Sequence, residues 1–127
     1  MPITADEQIL NRETDKLNDL IRRAEQVLIE KRLGVAATVE IPALGGYITF
    51  CKVEQQWGLW YVRRQEETTV SSLLETSRAI RVAAVRALPR LYEEMLAQVS
   101  QHLTEVLDAQ KTVKDFISSL TTAEGPP

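Results

Sequence analysis

The sequence predicts an α+β fold: a long N-terminal helix, a three-stranded antiparallel meander, and a long kinked C-terminal helix with a coiled-coil-like seam. Three observations carry this. From Thr4 to Leu33, apolar residues recur at helical spacing. From residue 35 to 64 they alternate instead, as on a strand with one buried face. From Tyr92 to Leu120, large side chains return in unbroken steps of four and three, which places them along one line of a helix.

The first helix is expected over residues 4–33. Thr4 and Glu7 have capping-box spacing, in which hydroxyl and carboxylate each satisfy an orphan amide. Leu10, Leu17, Leu20, Ile21, Ala24, Val27 and Leu28 form the apolar stripe, charged residues of both signs fill the other face, and Gly34 is the expected stop. The meander is expected over residues 35–64. Val35, Ala37, Val39 and Ile41 alternate with smaller or polar residues, Pro42 closes the strand, and Gly45-Gly46 supplies a turn. Residues 47–54 and 57–63 read as the second and third strands, joined at Gln55-Gln56, where the usual Gly or Asn is missing.

The C-terminal helices are expected over residues 72–120, opened by a second capping box at Ser72 and Glu75. A stripe of Leu73, Leu74, Ile80, Ala84, Ala87 and Leu88 runs in phase into Leu91, Met95 and the seam. Pro89 lies between them, so the chain either bends there or divides into two helices; the continuous phase favours a bend. Residues 1–121 read as a single domain and residues 122–127, ending Gly-Pro-Pro, as a flexible tail.

The seam comprises Tyr92, Leu96, Val99, Leu103, Val106, Gln110, Val113, Ile117 and Leu120. Burying its eight apolar members is worth on the order of 10–20 kcal/mol before entropy is subtracted. A lone helix cannot dry such a line against itself. The N-terminal helix has the length to lie antiparallel along it, and a second copy is the other candidate cover, giving a homodimer or higher bundle. Gln110 would register partners if buried, although a solvated glutamine is the more frequent case. The sheet supports docking as well: Trp57, Leu59 and Tyr61 have one parity, Trp60 and Val62 the other, and two apolar faces need two covers.

Composition bounds the function. The chain has 127 residues, net charge −3 and pI near 5.2, which lacks the bulk basicity of a generic nucleic-acid coat. No basic-then-apolar leader pattern opens it, and no apolar run reaches the ~20 residues of a membrane span. One cysteine, Cys51, cannot form an internal disulfide, which points to the reducing cytoplasm. With one histidine, His102, no His-rich metal site can be built, and no phosphate-cradling glycine motif or nucleophile elbow is present. A Cys51–His102 pair could be reactive in principle, but a structural cysteine is the commoner reading. Glu66-Glu67 and Glu93-Glu94 are sequence neighbours and do not converge on a reacting centre. No enzyme, metal or cofactor is expected.

One charged feature stands apart. Residues 63–90 carry a local excess of +3 and residues 91–127 carry −4. Arg78 and Arg81 are one helical turn apart, as are Arg86 and Arg90, so each pair could hold an anion, with Trp57, Trp60 and Tyr61 as a stacking platform. The leading expectation is therefore a non-enzymatic interaction or adaptor module, homo-oligomeric through its long helices and apolar sheet face. The alternative is a nucleic-acid-binding accessory factor using the Arg78–Arg90 helix. A holdase-like chaperone, on shape alone, is the lesser one.

Overall fold

The computed structural model describes residues 4–64 and 68–123. In chain order the elements are α1 (Ala5–Glu30), β1 (Ala37–Ile41), β2 (Gly46–Val53), β3 (Gln56–Arg63), β4 (Thr69–Ser72), α2 (Arg78–Val85) and α3 (Leu88–Ala123). Short 3-10 turns occupy Pro42–Leu44 and Leu73–Glu75. The strands pair antiparallel in the order β1-β2-β3-β4, so the fold is α+β and the sheet is a meander.

α1 begins as its capping box predicts. Thr4 N donates to Glu7 Oε2 at 3.0 Å, and Glu7 N donates to Thr4 Oγ1 at 3.1 Å. It ends at Glu30, three residues short of Leu33, because Arg32 already takes a left-handed conformation at φ 50°, ahead of Gly34 at φ 68°.

The sheet has four strands where three were expected. β4 pairs Thr69–Ser72 with Arg63–Trp60, and its only large apolar side chain is Val70. An edge strand of this kind is held by its backbone, so no alternating pattern marked it. Ser72 therefore ends a strand and caps no helix. Helix α2 starts six residues later, where Ser77 Oγ accepts from Ile80 N at 3.4 Å.

The β2–β3 turn also shifts by one residue. Gln56 pairs with Val53, leaving Glu54 (φ 50°) and Gln55 (φ 71°) as a two-residue turn, both left-handed. Neither has the Asn-Gly chemistry that tolerates this geometry. Replacing Glu54 with Asn and Gln55 with Gly should raise stability by about 1 kcal/mol in thermal denaturation. A loss of stability would mean that the native side chains hold the turn.

Pro89 does not bend a continuous helix. α2 stops at Val85, Arg86-Ala87 make a turn, and α3 starts at Leu88, so Pro89 falls in the first turn of α3. Its missing N–H has no intrahelical acceptor to lose there, and its fixed φ suits a helix start. The stripe nevertheless keeps facing one way across the break: Ala84, Ala87, Leu91 and Met95 are all buried.

All three helices contribute to one core, on one face of the sheet. Ala37, Val39, Ile48, Phe50, Leu59 and Tyr61 supply the sheet side; Ile21, Ala84, Leu91 and Met95 come from the helices, Ala87 from the turn between α2 and α3, and Val35 and Leu73 flank them. Glu25 ties α1 to the sheet at one further point. β4 ends opposite Trp60, so the next amide of β3, Leu59 N, has no strand partner and donates instead to Glu25 Oε2 at 2.7 Å.

Candidate interaction surfaces

The C-terminal part of α3 is unlike the rest of the molecule. Leu91 and Met95 are fully buried at its root, Tyr92 and Val99 are half-buried against the core, and from Ser100 to Thr122 every side chain is exposed. This 23-residue arm is about 35 Å long. The seam residues Leu96, Leu103, Val106, Val113, Ile117 and Leu120, and beside them Leu107 and Phe116, lie between 46% and 61% exposed; Gln110 is exposed among them.

The expected antiparallel pairing of α1 with this seam therefore does not occur. Ile21, Leu17 and Leu28 of α1 are turned toward the sheet core. α1 packs Ile21, and in part Leu17 and Leu28, against this core, while Leu10, Leu20 and Val27 of its expected stripe stay exposed. Leu107 and Phe116 lay outside the nine-residue series. They flank the seam on its two sides, and their signal in the sequence is an apolar arc wider than a two-helix seam requires. Glu105, Asp108, Lys111 and Asp115 fall on the opposite side of the arm.

A second apolar surface lies between α1 and the start of α3. Leu20, Ala24, Val27 and Leu28 face Leu88 and Tyr92 across a groove of about 430 Å³, with Arg23 and Lys31 at its rim. Leu20 is 63% exposed, and the Lys31 ammonium stands 5.5 Å from the centre of the Tyr92 ring.

The third surface is the sheet face turned away from the core. Strand parity places Tyr47, Cys51, Trp60, Val62 and Val70 there, and none of them belongs to the core cluster. The face partly covers itself. The Trp60 indole lies over Gly58, where a Cβ would sit 3.4 Å from its Nε1, and donates to the Cys51 carbonyl at 3.3 Å. Thr49 Oγ1 donates to the Ala37 carbonyl at 3.0 Å and accepts from Thr38 Oγ1. Arg64 pairs with Glu40 and stacks 4.9 Å from the Tyr47 ring. Val62 is buried among these groups, and Val70 is left half-exposed.

The two tryptophans are thus on opposite faces. Trp57 stacks on Phe50 at 5.4 Å on the core side, beside Leu28, Leu33 and Gly34, and does not share a surface with Trp60. The arginines are also dispersed. Arg81 is half-buried and donates to the Leu74 carbonyl at 3.4 Å, whereas Arg78 and Arg86 are exposed. Arg86 lies in the turn and Arg90 in α3. Arg90 instead lines a small polar recess with Glu40, Glu93 and Glu94.

Cys51 is on the open sheet face and His102 on the exposed arm, so the fold does not bring thiol and imidazole together. Among the described residues, no three His, Cys, Asp or Glu side chains are placed to hold a metal ion, and no helix is long and apolar enough to cross a membrane. Glu66-Glu67 and residues 124–127 of the expected tail lie outside the described residues; Thr122 and Ala123 belong to α3. No protein-family model, curated protein or solved structure matches the chain.

Proposed function

We propose that this chain is a non-enzymatic assembly module that forms a homo-oligomer through α3 and offers its open sheet face to a further protein. The observation that carries this reading is the bare apolar arm. Ten of its 23 residues are Ser, Thr, Val or Ile, which are weak helix formers, and Thr104, Thr112 and Thr121 bond back to carbonyls four residues earlier. Without packing, a helix of this composition is marginal in water. Covering the seven half-exposed apolar side chains of the arm, together with Leu96 just before it, is worth roughly 6–12 kcal/mol per chain. Two chains together supply enough to offset the ~4–15 kcal/mol cost of association. The single half-exposed cysteine suits a reducing compartment such as the cytoplasm. The nucleic-acid alternative has less support, since Arg81 is engaged internally and Arg90 stands among glutamates.

Sedimentation velocity across a concentration series tests the proposal. The wild-type chain should associate, and Leu103→Asp or Val106→Asp should leave monomers whose circular dichroism has lost about an arm's length of helix. A wild type that stays monomeric up to ~100 μM, a concentration that such an interface should saturate, would refute it.

A further inference from the structure

We propose that the groove between α1 and α3 is the seat for the α3 arm of a second copy, laid antiparallel, so that two chains exchange arms across a two-fold axis. The inference rests on the homo-oligomer reading above and adds the occupant, its direction and its register.

Two observations point to this occupant. First, the arm carries apolar side chains on both sides of its seam, at Leu107 and Phe116, and so needs two neighbouring helices. For the end of the arm, from Phe116 on, the groove provides two, α1 and the root of α3, with an apolar floor. Second, the seam pairs with itself in only some directions. Run antiparallel about a point between Thr104 and Glu105, it sets Leu103 opposite Val106, Val99 opposite Gln110, Leu96 opposite Val113 and Tyr92 opposite Ile117. Leu120 then falls near Leu88, at the groove itself. The contact is self-complementary and closes as a dimer. A parallel pair, in contrast, leaves Leu20 and Val27 of the groove bare.

The test uses the full chain in a Cys51→Ser background, which removes its only cysteine. Leu96→Cys combined with Val113→Cys should give a covalent dimer on mild oxidation. Gln110→Cys alone should not, because the antiparallel register holds the two copies of that position roughly 16 Å apart along the axis, beyond disulfide reach. Leu20→Asp, at an exposed groove position, should weaken the dimer at least about tenfold with the circular dichroism of the body intact. If Leu20→Asp disturbs folding, the two cross-linking variants decide by themselves. A dimer that cross-links through Gln110→Cys and ignores Leu20→Asp overturns the exchanged-arm arrangement and leaves the homo-oligomer reading standing. A wild type that is monomeric overturns both.

Discussion

Replacing Leu91 with alanine should lower stability by about 2–5 kcal/mol, which would unfold a large fraction of a marginal domain. Leu91 is completely buried at the root of α3, beside Ala87 and Met95 and over the sheet. Truncation there leaves a cavity that the rigid sheet cannot close, so the transfer and cavity terms add. The matching change twelve residues later, Leu103→Ala, should alter monomer stability by no more than about 0.5 kcal/mol, because that side chain is 57% exposed. Its effect should appear only in self-association. Chemical denaturation of both variants at low protein concentration separates them. Equal losses would mean that the arm is folded against the body of its own chain.

Gly46→Ala should cost about 3 kcal/mol or more. A Cβ at this position would lie 2.3 Å from the Val62 carbonyl oxygen and 3.1 Å from Arg63 Cα, both backbone atoms of the neighbouring strand. It would also stand 3.1 Å from the Tyr61 hydroxyl, which donates to the Leu44 carbonyl at 2.9 Å. Strand and hydroxyl must both move. Gly45 is the control. It has φ +65° and open space where a side chain would go, so Gly45→Ala should cost only the left-handed strain of about 1–2 kcal/mol. If Gly46→Ala is as mild as Gly45→Ala in a thermal melt, the close approach of β2 to β3 is not tightly enforced.

What the sequence made legible was set by local chemistry. The capping box at Thr4 located the start of α1, and alternation located β1 to β3. The in-phase stripe identified Ala84, Ala87, Leu91 and Met95 as one buried line. The failures were places where two readings of the same residues were both chemically sound. Ser72-x-x-Glu75 has cap spacing, but the backbone of β3 competes for Ser72 and wins. Pro89 could kink or start a helix, and spacing cannot choose between them. The pairing of α1 with the seam was a tertiary question: periodicity shows that a stripe needs a cover and is silent on which cover is nearer. Trp57 and Trp60, three residues apart, could be assigned to opposite faces by parity, yet parity could not say which face the helices would occupy.

The placement of those two indoles also gives the protein a pair of native optical reporters. Trp57, stacked on Phe50 beside the core, should follow unfolding of the body, and Trp60, on the opposite sheet face, should follow whatever settles on the sheet. Single Trp→Phe variants would isolate each emission spectrum. A soluble quencher could then separate a docking event from a melting event in one cuvette, with no label attached.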